Sequence, residues 1–532
     1  MKRLLKRVWR YLDGINGLML VLYVSLVLAT QALLDRESKS YILRWAFFGF
    51  AASAVICPVV LRKVRNITIC PDASCFLVKE KVWKVLFFLL PFLAFLARYI
   101  VYYPGGMSTD TFVQYEQTIT NQYNDWHPVI QTLLVIKLPL LLTGGWIGSM
   151  TLFQIIAFAL VIGYALCTVM KYAGVKYAAI SLLLILLNPT IANAAMFPWK
   201  DVSFAIGGLL LMSFALRIYC TKGQWIKCPA HIAVFAITAA LTTLFRHNAI
   251  LFTGPLVLAV LFCISWKRAL ALGLSILLLV AGILYPLYGA LKVEEPDQRQ
   301  VETLGLPMTV IGGAVTFSPE KLDADILEFA YRVAPKEVWE ENYLYGEYNA
   351  LKWNVQTDNS VIEEYGAVKV ISMAVRCILQ SPEESLKALV KLTNVVYSIS
   401  DDSQYYVTPI IVENDQGIQM QGSSALQSLN YSYTRTMVLL LPQLFMYIGV
   451  MHLVLLVGVL AKCKLGRWKD WKKIFFILPV FCYNFGSALL LTGAADCARM
   501  FFYTYLLMPL LLIFIFRKEN EGSADVTVCE NV

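Results

Sequence analysis

Four short polar stretches interrupt an otherwise apolar chain, and each holds side chains that could carry chemistry. The residues of interest are Asp110 and His127 in PGGMSTDTFVQYEQTITNQYNDWHP, Lys200 and Asp201 in FPWKD, Arg246 and His247 in FRHN, and Asp496 and Arg499 in GAADCARM. An aspartate can act as a general base toward a hydroxyl. Arginine and lysine can hold a phosphate and stabilise the charge that it gains as a leaving group. The residue types therefore indicate transfer of a group from a phosphate carrier to a hydroxyl.

Each of these residues also has an ordinary structural explanation. Asp110 follows Ser108 and Thr109 and could cap a helix that begins at Thr111. A tight hairpin between two membrane spans needs polar residues, and Arg246 lies in such a turn. Because the polar residues recur at the ends of apolar runs, on one predicted side of the membrane, a shared site is favoured over unrelated caps.

The elements that must position these residues are membrane helices. Of the 532 residues, 58% are apolar and only 15% are charged, and the mean hydropathy is +0.62. Soluble proteins carry about 25% charged residues. Apolar runs of about 20 residues recur, which is the length an α-helix needs to cross a bilayer. We therefore expect an all-α polytopic membrane protein.

Charge and cysteine content narrow the class further. The net charge of +9 is scattered over short loops, as orientation signals are, and it does not indicate nucleic-acid binding. The 12 cysteines show no metal-binding spacing, and we expect no disulfide framework.

The apolar runs predict twelve spans with both termini in the cytoplasm. The predicted spans are 16–34, 41–61, 82–103, 146–169, 176–195, 203–219, 229–245, 249–266, 269–291, 436–461, 474–492 and 500–516. Lysine and arginine are concentrated in the loops that this topology places in the cytoplasm. Counting 128–144 as a further span would place every later positive loop outside, so we interpret it as an interfacial or re-entrant helix.

The spans divide the chain into four parts. Residues 1–292 form a membrane module with the first outer loop at 104–145, residues 293–434 an acidic extracytoplasmic segment, residues 435–516 the C-terminal membrane helices, and residues 517–532 a cytoplasmic tail. The acidic segment is long enough for a packed domain. Its stretch PEESLKALVKLTNVV predicts a helix that starts after Ser381, and we expect the segment to be mostly helical.

Several short motifs follow one another across residues 82–270. They are Tyr103-Pro104-Gly105 at the start of the first outer loop, then Asp110, then His127-Pro128, Trp199-Lys200-Asp201, and Arg246 with Asn248. With these motifs the chain resembles GT-C-type polytopic glycosyltransferases, the superfamily that includes protein O-mannosyltransferases and aminoarabinose transferases of lipid A. Within that superfamily it is similar to a group of multispanning proteins from Gram-positive bacteria.

The resemblance implies a GT-C-like fold in a bacterial cell membrane, with an outward-facing site fed by a polyprenyl-phosphate sugar. It implies transfer to an extracytoplasmic hydroxyl with inversion at the anomeric carbon. The implied partners are the lipid-linked donor, membrane lipids, and an acceptor that is a wall polymer, a lipid or a protein, with no nucleic acid.

The resemblance implies Asp110 as the base, and the residue types in the polar motifs predict the other roles. The expected catalytic residues are Asp110, His127 and Asp201; the expected phosphate-binding residues are Lys200, Arg246 and Arg499; and the expected substrate-binding residues are His247, Gln114 and Trp199. Asp110 is the expected base, with Asp125 and Asp201 as alternatives. A divalent cation is left open as a cofactor, and Asp110 with Asp201 are its candidate ligands.

Two other functions compete with a sugar transferase. A polytopic transporter shares the twelve-span layout, but transporters place polar residues at mid-bilayer within repeats, and this chain shows no repeat. A lipid-linked glycan polymerase or ligase would use a similar donor and a similar outer loop.

Overall fold

The chain folds almost entirely into helices. The computed structural model describes residues 11–34, 39–70, 80–296, 299–400, 407–463, 468–490, 493 and 497–518. Within these ranges β-pairing occurs only as isolated bridges. The all-α fold predicted from the sequence is confirmed for the described residues.

The helices are numbered in chain order. The first half contains α1 Gly14–Leu34, α2 Lys39–Arg65, α3 Glu80–Val101, α4 Thr109–Thr120, α5 Val129–Leu142, α6 Gly148–Ala173, α7 Val175–Leu187, α8 Pro189–Ala194, α9 Lys200–Cys220, α10 Pro229–Leu244, α11 Ile250–Leu261 and α12 Trp266–Leu291. The long segment contains α13 Arg299–Thr303, α14 Gly305–Phe317, α15 Ala324–Val333, α16 Lys336–Asn342, α17 Asn349–Lys352, α18 Ser360–Gln380 and α19 Pro382–Thr393. The C-terminal part contains α20 Ser424–Leu440, α21 Pro442–Phe445, α22 Ile448–Lys462, α23 Trp468–Ala488, α24 Cys497–Phe501 and α25 Tyr503–Phe516.

Seven helices of the described residues are long and apolar enough to cross a bilayer. They are Gly14–Leu33, Leu43–Arg65, Glu80–Val101, Gly148–Ala173, Lys200–Cys220, Trp266–Leu291 and Arg499–Phe516, and each coincides with a predicted span. Four more predicted spans correspond to the shorter apolar helices α7, α10, α11 and α22. The remaining one, 474–492, corresponds to α23, which opens on a charged turn.

The predicted span 176–195 is two helices rather than one. Asn188 separates them, since its Oδ1 accepts hydrogen bonds from the backbone N–H groups of Thr190 at 2.9 Å and Ile191 at 3.2 Å. Pro189 then takes the first helical position, where its missing N–H costs nothing. These local signals end α7 and restart the chain as α8. The predicted span 436–461 is also interrupted, between α20 and α22, where Pro442 starts the short helix α21 without a side-chain cap.

The first loop is itself helical. Helix α4 packs against α5, whose middle turn, Thr132–Lys137, is π-helical. Nε2 of Gln114 in α4 donates to Oγ1 of Thr132 at 2.8 Å and to Gln131. The segment predicted at 128–144 corresponds to α5, which is 14 residues long, and its interfacial or re-entrant position stays a prediction.

The long segment has a hydrophobic core of its own. Trp339 and Tyr348 are fully buried in it, among side chains of α14, α15 and α18. Helix α19 contacts α1 and so joins this body to the membrane helices. The predicted helical character of the segment is confirmed, while its predicted boundaries, 293 and 434, stay a prediction.

An aromatic cluster fixes the helices that carry the polar motifs. Phe204 of α9 stacks on Tyr483 of α23 with ring centroids 4.4 Å apart, and its edge meets Phe252 of α11 and Tyr503 of α25. Phe204 comes three residues after Asp201, which is just under one helical turn. The cluster therefore holds the ends of four helices together directly beside the polar residues.

Candidate active site

Backbone contacts bring the first loop against the FPWKD stretch. The N–H of Gly106 donates to the carbonyl of Met196 at 2.9 Å, and a Cβ on Gly106 would lie only 2.6 Å from the ring of Phe197. Nε1 of Trp199 donates to Oγ of Ser108, the residue that precedes α4, at 2.8 Å. The start of α4 and the start of α9 are thereby adjacent, although the sequence separates them by about 90 positions.

The polar motifs line one cavity of about 430 Å³, a volume within the usual range of small-molecule sites. Its lining includes six of the residues predicted from the sequence, namely Asp110, His127, Lys200, Arg246, His247 and Arg499. Asp125, the alternative base, also lines it. Separate stretches of the chain thus converge on a single site.

Asp110 lies in the first turn of α4 and faces the cations of the cavity. Nη1 of Arg499 donates to its Oδ2 at 2.9 Å, and 28% of its side-chain surface stays exposed. Burial alone would raise the pKa of Asp110, but Arg499 and Lys200 outweigh it and hold the pKa well below its usual range. Asp110 is therefore ionised at neutral pH.

His127 and Lys200 form a second polar contact. Nζ of Lys200 lies 3.0 Å from Nδ1 of His127, so the ammonium group donates and the imidazole nitrogen accepts. The His127 side chain is buried, and burial together with the nearby Lys200 lowers its pKa to about 3. His127 is therefore neutral at physiological pH.

Asp201 is buried behind the cavity, with 1% of its side chain exposed. It forms an ion pair with Arg246, and Nε of Arg499 lies 3.9 Å from its Oδ2. Nε of Arg246 also donates to Oδ1 of Asn248 at 2.7 Å. Asp201 does not line the cavity, and these contacts are with the two arginines; the direct catalytic role expected for it stays a prediction.

Two further predicted residues lie outside the cavity lining. Gln114 is buried between α4 and α5, where its amide bonds Thr132. Trp199 stacks on Phe197 at 4.0 Å and lies 5.3 Å below the Arg499 guanidinium. The substrate contact predicted for these two residues from the sequence therefore stays a prediction. Asp496 lies outside the described residues.

Asp125 and His247 also line the site. Tyr288 donates to Oδ1 of Asp125 at 2.6 Å, and Nε2 of His247 lies 3.0 Å from the Asp125 carbonyl oxygen. Asp125 is therefore engaged by two neighbours, neither of which is an arginine or a lysine. Of the two candidate bases that line the cavity, Asp110 is the one that faces Arg499 and Lys200.

The sequence motifs missed part of the cavity wall, including two tryptophans and a lysine. Trp126, Lys352 and Trp353 line it, and the last two come from the long segment. Lys352 is buried and pairs with Glu302, and its Nζ lies 4.9 Å from the Trp126 ring centroid and 4.4 Å from that of Trp353. The sequence around Lys352, KWN, lies in a polar segment. Nothing in this pattern distinguishes Lys352 from a solvent-exposed lysine.

A divalent cation shared by Asp110 and Asp201 does not fit the geometry. Arg499 contacts both carboxylates, at 2.9 Å and 3.9 Å, and so places a positive charge where such an ion would lie. Among the described residues no group of three or more His, Cys, Asp and Glu side chains could hold a metal ion.

Comparisons with known proteins give weak similarities. No family model matches the chain, and no curated protein matches it. Among solved structures it is similar to ArnT from Cupriavidus metallidurans bound to undecaprenyl phosphate, at 13% identity over 82% of this chain and 77% of that chain, with a TM-score of 0.33. It is also similar to apo ArnT from the same organism, at 15% identity over 89% and 78%, with a TM-score of 0.26. The site is therefore interpreted from its own geometry.

Proposed function

We propose that this protein is a membrane glycosyltransferase that moves a sugar from a polyprenyl-phosphate donor to an extracytoplasmic acceptor hydroxyl with inversion. One observation carries the proposal. The ionised carboxylate of Asp110 and the cations Arg499, Lys200 and Arg246 line one cavity at the ends of apolar helices. A base and a phosphate site side by side, next to lipid, are what this reaction needs.

The cations bind the donor phosphate. Arg499 offers a planar fork and Lys200 a point charge, and both are within reach of the cavity. The polyprenyl tail would lie along the apolar helices that end at the site. As the bond between the anomeric carbon and the phosphate oxygen breaks, its electron pair passes to the phosphate, and the cations stabilise that charge.

Asp110 is the proposed base. It takes the proton of the acceptor hydroxyl while the hydroxyl oxygen forms the new bond to the anomeric carbon on the face opposite the phosphate. Before the donor binds, Arg499 holds the Asp110 pKa too low for an effective base. A bound phosphate competes for Arg499 and Lys200, which raises the Asp110 pKa toward the range where proton transfer is favourable.

The remaining residues support these groups. Asp201 holds Arg246 and Arg499 from behind, and neutral His127 accepts from Lys200 and so directs its ammonium group. His247 lines the acceptor side beside Asp125. The proposed topology places both termini in the cytoplasm and the site on the outer face of a bacterial membrane.

A transfer assay tests this function. The purified protein in nanodiscs would be incubated with radiolabelled polyprenyl-phosphate sugars and cell-envelope extract as acceptor. We expect label to move to the acceptor and polyprenyl phosphate to be released. Asp110→Asn should lower the rate about 10²–10⁴-fold, while Glu364→Gln, an exposed carboxylate paired with Arg332 in the long segment, should not.

The same assay separates the competing functions. A glycan polymerase or ligase would transfer preassembled oligosaccharides but not single sugars. A transporter would accumulate substrate in proteoliposomes without releasing polyprenyl phosphate. Transfer that is equally fast in Asp110→Asn and in the unmodified protein would refute the proposed base.

A further inference from the structure

Two tryptophans form a corner on the cavity wall. Trp126 comes from the first loop and Trp353 from the long segment, and their ring centroids are 6.3 Å apart at an interplanar angle of 63°. Trp353 exposes 65% of its surface, although it lines a cavity. An exposed indole on a concave wall is costly in water, and it becomes favourable when an apolar face covers it.

The groups around this corner suit hydroxyls. Lys352, Glu302 and Asn349 line the same wall and supply hydrogen-bond donors and acceptors. A sugar-like ring carries C–H groups on its face and hydroxyls around its edge. Its face can cover the exposed indole, and its hydroxyls can hydrogen-bond to these polar side chains.

Other ligand classes fit the corner less well. A lipid chain would remove the polar side chains of Lys352, Glu302 and Asn349 from water and offer them no hydrogen bonds in return. A cationic ligand would have to displace the Lys352 ammonium group, which already lies against both rings. A peptide in extended form binds by adding to a strand edge, and the described residues contain only isolated bridges and no strand to extend.

We propose that Trp126 and Trp353, with Lys352, form a saccharide subsite, and that the acceptor is a carbohydrate whose ring stacks on Trp353. This inference rests on the proposed function, since the subsite and Asp110 line the same cavity. A sugar on this wall presents a hydroxyl toward Asp110. The long segment thus supplies the specificity for the acceptor, and the first loop supplies the base.

Binding measurements test the subsite without relying on transfer. Saturation-transfer difference NMR on the full-length protein in nanodiscs would use glucose, mannose, galactose and N-acetylglucosamine disaccharides as probes. We expect at least one of them to bind, and Trp353→Ala to weaken it about tenfold. Trp353→Phe should keep most of the affinity. Trp266→Ala is the matched control, because Trp266 is 71% exposed but lies outside the cavity lining.

The outcomes distinguish this inference from the proposed function. The subsite is refuted if no disaccharide binds the unmodified protein, or if Trp353→Ala and Trp266→Ala weaken binding equally. It is also refuted if serine- and threonine-containing peptides, rather than sugars, lose binding in Trp353→Ala. Saccharide binding that depends on Trp353, in a protein that transfers no sugar from any polyprenyl phosphate, would support the subsite and overturn the proposed function. Binding of polyprenyl phosphate should be unchanged in Trp353→Ala.

Discussion

Arg499 follows Asp110 by 389 positions, and its Nη1 lies 2.9 Å from Oδ2 of that aspartate. The same guanidinium is 3.9 Å from Asp201 and lies over the ring of Trp199. One arginine near the C-terminal membrane helix therefore joins the first loop to α9. In the proposed mechanism the donor phosphate displaces Asp110 as the ion-pair partner of Arg499.

The geometry of Arg499 predicts that a lysine cannot replace it. Lysine keeps the positive charge but cannot contact both carboxylates and the indole with one planar group. We expect Arg499→Lys to raise the donor KM and lower kcat/KM by at least about tenfold. Steady-state kinetics with a polyprenyl-phosphate sugar check this. The charge-conserving control is Lys462→Arg, because Lys462 lies on α22, outside the cavity lining. A normal donor KM in Arg499→Lys would contradict the role given to Arg499.

The low pKa of Asp110 predicts a difference between two pH profiles. In the free enzyme Asp110 is ionised throughout the accessible acid range, so kcat/KM should show no acid limb from this residue. Once the donor phosphate engages Arg499 and Lys200, the Asp110 pKa rises, so kcat should fall at low pH. Rates measured between pH 4 and pH 8 at low and saturating donor concentrations test this. Identical acid limbs in both profiles would argue against release of Asp110 by the donor.

The buried His127 predicts loss of stability in acid. Its pKa falls from 6.5 to about 3 on folding, so between these values the unfolded chain binds a proton that the folded protein does not. With respect to this group, the free energy of unfolding is therefore highest above pH 6.5. It decreases as the pH falls toward 3, by at most about 1.4 kcal/mol per pH unit. The apparent melting temperature in detergent should fall from pH 7.5 to pH 5 less steeply in His127→Gln than in the unmodified protein. His231→Gln, at a histidine outside the cavity, should keep the original slope.

The buried ion pair of Asp201 and Arg246 predicts that the effects of substituting these two residues on stability depend strongly on each other. Removing one partner leaves the other charge in an environment that excludes water, which typically costs about 3–5 kcal/mol. Asp201→Asn and Arg246→Gln should each lower the melting temperature sharply. The double variant should be less destabilised than the sum of the two, because it removes both charges. Additive losses in this double-mutant cycle would show that the two side chains do not depend on each other.

Much of the fold could be predicted from the sequence, because the signals are local. Apolar runs of helical length give the long membrane helices, and Asn188 with Pro189 shows why one such run divides, since a side-chain cap and a missing N–H act within three residues. The charge of the loops constrains topology in the same local way.

The candidate site could be predicted in part. Asp110, His127, Lys200 and Arg246 stand out because charged residues are rare in an apolar chain, and all four line the cavity. Lys352 could not be found in this way, since the segment around it is polar and one more lysine there carries no signal.

By itself, the sequence determined which residues are helical, which segments are apolar enough for a membrane, and which polar motifs interrupt them. Only the tertiary structure decided which of those polar residues line one cavity. Asp201 is adjacent to Lys200 in sequence, yet it points away from the cavity into an ion pair, while Trp353 reaches the wall from a distant segment. The physical reason is that helix periodicity and charge act over a few residues, whereas the convergence of α4, α9 and α24 depends on packing between stretches separated by hundreds of residues.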